Sequence, residues 1–385
     1  MRIKASPEDF RVEELTDLPI SPSPSRYRVY RMTKRSRNTL DAVRTAAAAG
    51  NAPLSEVRVC GRKDRQGITA QYVTVPAAFD ITLDEEELRV EQVGWSAIPA
   101  SPSLIAGNRF DIVLRDMGEE EAARVGRGLD LTGGLGFPNY FDEQRFGEVA
   151  DGGPFLAELL VKRRFDLALR RYATAIHPDA PPHLRRRKLE IRAKWGDFGA
   201  VIPLCTEPEL RAIVTTARDR GYVAALREIP RETMGMFLSA YQSFIWNQTL
   251  SALIGDAGIP WNGPAGQSLR LWTPGEWRAG SERIWEIDIP TVSSELPDMP
   301  ADVRRAIDGI LYSRKVRRSQ FHVPEITQSY FASSLRAALV VPDEMRYERV
   351  PDERYGGRWK ILAHFTLPRG SFATLAVRIA EIAAR

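Results

Sequence analysis

Alternation of apolar and polar positions dominates both ends of the chain, while helical spacing dominates the middle. Phe10-Arg11-Val12-Glu13 and Tyr27-Arg28-Val29-Tyr30 follow the two-residue period of half-buried strands, as do the β-branched runs Val57-Arg58-Val59 and Tyr72-Val73-Thr74-Val75. Thr39 to Ala49 reads as a helix, with Asn38 as its cap and Gly50 as its stop. Asp80 to Val90 reads as an acidic link, Arg109 to Arg115 as a strand, and Glu119 to Leu129 as a helix ending near Thr132-Gly133-Gly134. From about Gly152 the chain turns helical, arginine-rich and proline-punctuated, with helices expected at Phe155 to Tyr172, Glu207 to Arg220 and Arg231 to Ile254. Pro and Gly then recur from Gly255 to Pro300 around a short strand at Arg283-Ile284-Trp285-Glu286-Ile287. Alternation returns from Trp359 to Leu367, before Pro368-Arg369-Gly370-Ser371-Phe372 and a closing helix from Ala373 to Ala384. A β-rich start and finish around a helical middle predicts an α+β fold in which one discontinuous domain carries an insertion.

Composition narrows the chemistry. The 385 residues exceed the usual size of one domain. No apolar run reaches the ~18 residues of a membrane span, and Met1 to Glu8 lacks the apolar stretch of a signal peptide, so a soluble, cytoplasmic protein is expected. Two cysteines and four scattered histidines fit neither a disulfide framework nor a metal site. Gly133-Gly134-Leu135-Gly136 lacks the lysine and hydroxyl residue of a phosphate loop, and no nucleophile-elbow serine is present. The expectation is chemistry by carboxylate, lysine and aromatic groups, with no metal and no cofactor.

The net charge of +4 is modest, so its distribution matters more. Cations cluster from Arg26 to Arg37, from Lys162 through Arg163, Arg164, Arg170 and Arg171 to Arg186, Arg187 and Lys188, and from Arg304 to Arg318. Such patches follow a phosphate backbone or form solvated helix faces.

Two dense segments hold the candidate chemistry. In Cys60-Gly61-Arg62-Lys63-Asp64-Arg65-Gln66-Gly67, one acid sits among three cations on a tight connection between strands. It reads either as a carboxylate nucleophile for a polyanionic substrate or as an ordinary turn aspartate. Gly136 to Gly147 combines Phe137, Tyr140, Phe141 and Phe146 with Asn139, Gln144 and Arg145, and reads either as a base-binding loop or as a buried aromatic turn.

Taken in order, these segments resemble the TruD family of tRNA pseudouridine synthases. Lys4-Ala5-Ser6-Pro7-Glu8-Asp9-Phe10-Arg11-Val12-Glu13-Glu14 is similar to the family's opening motif, Gly61-Arg62-Lys63-Asp64-Arg65 to its catalytic motif, and Asn139 to Gly147 to its second motif. Ser239 to Asn247 resembles the helix motif of the inserted module, and Leu367 to Thr374 the closing motif. The resemblance implies a pseudouridine-synthase catalytic domain with a mixed, largely antiparallel sheet, made of residues 1–155 and 339–385 and interrupted by an inserted TRUD domain at 156–338. The insertion would form the second wall of a basic cleft.

The resemblance also implies Asp64 as nucleophile, Lys4 as its basic partner, and Phe10, Asn139, Phe141 and Phe372 around a uridine, most often uridine-13 of tRNA. Arg62, Lys63, Arg65, Arg145, Arg163, Arg164, Arg186 and Arg187 would contact RNA. Three routes are open to Asp64: attack on the sugar, attack on the base, or removal of a sugar proton. Two positions depart from the commoner pattern, Asp142 where glycine is frequent and Gly67 where alanine is usual. tRNA is the expected partner, with other RNAs open; no membrane is expected, and a monomer is the default. The competing reading is a noncatalytic RNA-binding or RNA-chaperone protein using the same cleft.

Overall fold

The computed structural model describes residues 1–255, 259–263, 267–271 and 286–383. The strand expected at Arg283-Ile284-Trp285 and the last residue expected of the closing helix, Ala384, lie outside them. Contacts divide the chain into one unit of Met1–Phe137 with Val340–Arg385 and another of Pro138–Leu339. Residues 138–155, grouped with the first domain in the sequence reading, thus fall in the second unit.

The first unit is built on a ten-stranded sheet of β1 (Arg2–Ile3), β2 (Phe10–Thr16), β3 (Tyr27–Arg35), β4 (Arg58–Val59), β5 (Ile68–Pro76), β6 (Leu83–Glu85), β7 (Leu88–Ser96), β8 (Ile105–Met117), β9 (Asp343–Pro351) and β10 (Trp359–Pro368). Its order is β9-β10-β8-β2-β5-β3-β7-β6, with β1 added to β8 and β4 to β5. Every pairing is antiparallel except β2 with β5. The sheet is mixed and mostly antiparallel, as the fold reading expected.

Alternation sets its inner face. Phe10, Phe110 and Phe365, from β2, β8 and β10, form a chain of ring contacts at 6.2 and 5.6 Å between centroids. Burying side chains of this size is worth about 1.5–3 kcal/mol each. The helix Thr39–Ala49 packs Ala42, Val43, Ala46 and Ala47 against Tyr30, Met32, Val73 and Val75. The helices Glu119–Leu135 and Ala373–Ala383 meet so closely that a Cβ on Gly128 would lie 1.8 Å from the Ala380 carbonyl oxygen. Only glycine fits there.

The acidic link is instead a hairpin. Glu85 pairs with Leu88, so the glutamates crowd its tip, while Leu88 and Val90 are buried. Strand β9, unmarked in the sequence, is largely exposed and carries charges at Glu344, Arg346, Glu348 and Arg349. The helix expected to stop near Thr132 runs on to Leu135.

The second unit is mainly helical and centres on Arg231–Ile254, whose later half is buried on nearly every face. The helix expected from Phe155 to Tyr172 is two, Leu156–Val161 and Phe165–Thr174. Arg163 breaks it with a left-handed φ of 56°. Other helices are Pro182–Ala193, Pro208–Arg220 and Ala301–Ser313, and short antiparallel pairs join Ile259–Gly263 to Gln267–Leu271 and Asp288–Pro290 to Leu335–Ala337. Among the described residues, no helix is long and apolar enough to cross a membrane.

Candidate active site

In the first unit, the loop between β4 and β5 carries Asp64. Its backbone is held from below: Thr39 Oγ1 accepts from the Lys63 N–H at 3.0 Å, and Gln71 Nε2 donates to the Gly61 carbonyl at 2.9 Å. Lys34 Nζ donates to the carbonyl of Asp64 itself at 2.6 Å. Lys34 is fully buried, and burial pushes its ammonium down to about 8 against the attraction of Asp64. It belongs to a cation cluster read from sequence as outer surface, yet Tyr30, Met32 and Lys34 share one face of β3, and that face is inward. The alternation was the available signal.

Above this floor, Lys4 Nζ lies 3.1 Å from Asp64 Oδ2 and 3.9 Å from the centroid of the Phe10 ring. Lys4 has a left-handed φ of 59°, a conformation that costs a β-branched or long side chain energy and that clusters at functional sites. The turn that imposes it is fixed downstream. Asp9 accepts from the Ser6 N–H at 2.9 Å and, through its other oxygen, from Arg115 Nε at 2.9 Å; Arg115 also reaches Asp352 at 2.9 Å. Asp9 and Asp352 are both buried, so the opening motif, β8 and the β9–β10 connection are tied by one ionic knot. Asp64 keeps about two-fifths of its side chain exposed, whereas Lys4 keeps about an eighth. The carboxylate is reachable and its cation is not.

Gly67 closes the same loop. Its φ is 129°, and a Cβ there would stand 2.4 Å from the Phe10 carbonyl oxygen, so the alanine usual in the resembling family has no room on this backbone. Lys63, expected to face RNA, is turned inward. It pairs with Glu14 at 2.7 Å and donates to Asn108 Oδ1 at 2.7 Å, which spends its charge inside the protein. Arg62 and Arg65 are exposed. Phe372 stands half-buried at the start of the closing helix, its carbonyl accepting from the Leu375 N–H at 3.1 Å.

In the second unit, the segment from Asn139 to Gly147 is largely a buried aromatic turn. Tyr140 and Phe146 are inside the core, and Phe141 is partly exposed. Asn247 grips Phe141 with both ends of its amide, accepting from the Phe141 N–H at 2.8 Å and donating to its carbonyl at 2.9 Å. Trp246 meets the Phe141 ring edge-on at 5.5 Å, and the Arg336 guanidinium covers that ring at 4.1 Å. Arg145 stands 5.7 Å from the same centroid. Burial, with the Arg145 charge behind it, pushes Arg336 down to about 9, where it is still a cation at neutral pH.

Asn139 has a supporting part in this arrangement. Its Oδ1 accepts from Arg336 Nη2 at 2.6 Å and its Nδ2 donates to the Ala337 carbonyl at 3.1 Å. Asp142 caps the following helical turn by accepting from the Glu143 N–H at 2.5 Å, the use this chain makes of an acid where glycine is frequent. The remaining arginines divide into two kinds. Arg164 and Arg186 are exposed, whereas Arg163 donates to the carbonyls of Val161, Gln320 and His322 and pairs with Glu325, and Arg187 donates to Thr206 and Glu207. Arg336 and Lys34 had no site role in the sequence reading, Lys34 being only a member of a cation cluster, and neither had Asn247. The last lay inside the quoted Ser239–Asn247 segment.

A family model described as tRNA pseudouridine synthase D (TruD) matches residues 1–269. The Methanococcus maripaludis protein named "Probable tRNA pseudouridine synthase D 1" is 25% identical over 399 residues, covering 98% of each chain. The tRNA pseudouridine synthase D of Aquifex aeolicus is 26% identical over 388 residues, covering 98% of this chain and 97% of its own. A crystal structure assigned to tRNA pseudouridine synthase D from Methanosarcina mazei shares the fold, with a TM-score of 0.72 at 22% identity, covering 99% of this chain and 93% of that one.

Proposed function

The chain belongs to the tRNA pseudouridine synthase D family, and from that membership we propose that it isomerises uridine to pseudouridine in tRNA, at uridine-13, with Asp64 as the reacting carboxylate and no cofactor. The observation that carries this reading is the Lys4 ammonium 3.1 Å from a half-exposed Asp64 and seated on the Phe10 ring. A sheltered cation holding a reachable carboxylate in one orientation fits a group that must meet a substrate in a fixed pose.

The reaction breaks the N1–C1′ bond of uridine, turns the uracil and forms a C5–C1′ bond; a proton leaves C5 and one is gained at N1. Atoms and electrons balance without an oxidant, water or metal. Asp64 shares the positive charge that develops as the glycosidic bond breaks, either by covalent attachment or by taking a proton from the sugar. Lys4 orients the carboxylate, and the Lys34 clamp on the Asp64 carbonyl keeps the loop from drifting. Phe372, half-buried in the same unit, is an apolar group suited to confining a freed uracil, whereas Phe10 is buried beneath Lys4 and supports that ammonium. The exposed Arg62 and Arg65 offer phosphate contacts beside the carboxylate. We further assign the sheet unit as the catalytic domain and Pro138–Leu339 as the TRUD insertion, whose exposed Arg164 and Arg186 contribute RNA affinity.

Asp64→Asn tests this most directly, because the amide has the shape of the acid without its nucleophilicity. Pseudouridine formation in tRNA should fall at least about a thousandfold while tRNA binding stays within about twofold of the parent. Substantial turnover by the purified variant would remove Asp64 from the chemistry. A parent that binds tRNA and forms no pseudouridine would favour the noncatalytic reading.

A further inference from the structure

Of the cations beside Asp64 in the chain, Arg62 and Arg65 are exposed and Lys63 is drawn into the sheet. The place that receives it is made by Glu14. Pairing between β2 and β5 ends at Glu13 and Ala70, although the strands run on to Thr16 and Pro76. Beyond that point the Tyr72 N–H takes Glu14 Oε1 as its acceptor at 3.2 Å, in place of a strand carbonyl. The other carboxylate oxygen, Oε2, stands 2.7 Å from Lys63 Nζ. On the far side of β2, Glu14 is the register partner of Asn108 on β8, whose Oδ1 accepts from the same Nζ at 2.7 Å. Glu14 is buried and the Lys63 side chain nearly so, and the charge of each is met inside the sheet.

The consequence falls on the next residue. The Lys63 N–H is held by Thr39 Oγ1 at 3.0 Å, and the carbonyls of Lys63 and Asp64 by Lys34 Nζ at 3.4 and 2.6 Å. Those grips come from β3 and the helix that follows it. Lys4, whose ammonium lies 3.1 Å from Asp64 Oδ2, belongs instead to the segment that leads into β2. The loop therefore needs a hold on β2 as well. After Asp64, Ile68 supplies one by pairing with Arg11; before it, Lys63 supplies another through Glu14. Asp64 is suspended between two attachments to the strand that Lys4 introduces.

We propose that Lys63 is a positioning residue for the reaction: its ammonium fastens the Asp64 loop to the Glu14–Asn108 cross-strand pair and so keeps the carboxylate in register with Lys4. Misplacing a reacting group by about 1 Å costs about a hundredfold in rate, so a hold of this kind acts on turnover rather than on binding. The assignment rests on Asp64 being the reacting carboxylate. It moves a cation expected on the RNA to the interior, and it gives Glu14 and Asn108 a part in the geometry of the reaction.

Lys63→Met in the full chain tests it, since methionine keeps an apolar stem and removes the charge. The single-turnover rate of pseudouridine formation at saturating tRNA should fall about tenfold, with the affinity for tRNA and its salt slope unchanged. Stability should fall too, because Glu14 is left buried without its cation. Glu14→Gln with Lys63→Met separates the two effects: glutamine keeps an acceptor for the Tyr72 N–H and needs no counter-charge, so the melting temperature should recover while the rate stays low. Added to Lys4→Met, the same two substitutions should cost less than about threefold more, because both changes act on one carboxylate. Asn108→Ala leaves the ion pair in place and should lower the rate about threefold at unchanged affinity. Recovery of the rate together with the melting temperature, or an unchanged rate in Asn108→Ala, would overturn the positioning role and leave an ordinary structural pair. A salt slope lower by about one, with the rate at saturation kept, would return Lys63 to the RNA. A fully multiplicative loss on Lys4→Met would show that Lys63 does not act through the Lys4–Asp64 contact. A parent that forms no pseudouridine would overturn the isomerase reading itself, whereas a parent-level rate in folded Lys63→Met would overturn this inference alone.

Discussion

The Asp64 loop and the Phe141 shelf both gather cations around one functional group, yet they are built from opposite materials. Around Asp64 the cations that hold the loop and its carboxylate are lysines, each fixed by a charged or carbonyl oxygen and sheltered from water, while Arg62 and Arg65 stay exposed: Lys4 is on Asp64, Lys34 on two loop carbonyls, Lys63 on Glu14. Around Phe141 they are arginines lying over a ring, and the backbone is held by the neutral amide of Asn247. A lysine is a compact charge that can be aimed at one oxygen, whereas a guanidinium is a plane that stacks. The first arrangement suits chemistry at a fixed atom. The second suits a flat partner whose exact position is less constrained.

This contrast predicts that damage to the first region appears in rate and damage to the second in affinity. The largest effect after Asp64→Asn is expected for Lys4→Met, which leaves Asp64 without its oriented partner: kcat should fall about a hundredfold or more, with KM changed by less than about threefold. Single-turnover kinetics on tRNA measures both, and a loss confined to KM would break the distinction.

Lys34→Met should follow, with kcat down about 10- to 100-fold, the scale of a misplaced catalytic group. It has a second signature. Folded Lys34 titrates at about 8, whereas an unfolded lysine titrates near about 10.4. Between those values the unfolded chain binds a proton that the folded chain lacks, so Lys34 makes stability rise as pH goes from about 8 to about 10, and lowers it as pH falls through 8. Urea unfolding at pH 8, 9 and 10 should show a flatter rise for Lys34→Met than for the parent. An identical slope would mean that Lys34 is not the buried charge described.

Phe141→Ala should weaken tRNA binding about tenfold, within the ~1–3 kcal/mol that a stacked base gains from an aromatic platform, while kcat at saturating tRNA holds. A fall in kcat with unchanged affinity would move Phe141 to the chemical side of the comparison. The smallest effect separates the two kinds of arginine. Arg164→Ala and Arg186→Ala should each reduce the log-log salt slope of RNA binding by roughly one or less. Arg163→Ala should leave that slope unchanged and lower the melting temperature, since its guanidinium closes a helix break. Equal slopes for all three variants would show that exposure does not sort them.

Much of this was legible where one residue type has one physical use. The helix Thr39–Ala49 ends where its cap and glycine say, and β2, β3, β8 and β10 lie where alternation is cleanest. The Asp80–Val90 segment misled because a run of glutamates at a hairpin tip has the composition of a linker; the buried Leu88 and Val90 are too few to announce a strand alone. Edge strand β9 hides for a similar reason, since its inward Met345 and Tyr347 are only half-buried and are outnumbered by charged neighbours. At the site, Asp64 and Lys4 could be named from ordered motifs. Lys63 and Arg163 could not be sorted from their neighbours, because a cation spent on an internal carbonyl or carboxylate looks in sequence like one facing solvent; for Lys34 the alternation with Tyr30 and Met32 was there to read.

Strand β8 lies between β2 and β10, and the whole of residues 138–339 separates it from β10 along the chain. A ribosome therefore completes β8 well before its second neighbour exists. At about 5–20 residues per second, translating that stretch leaves a central, phenylalanine-bearing strand with one bare edge for roughly 10–40 seconds. During this interval the nascent chain carries the kind of unpaired edge that recruits foreign strands. The cost of housing one unit within the sequence of another is thus counted in time at the ribosome, and it grows with every residue the inner unit gains.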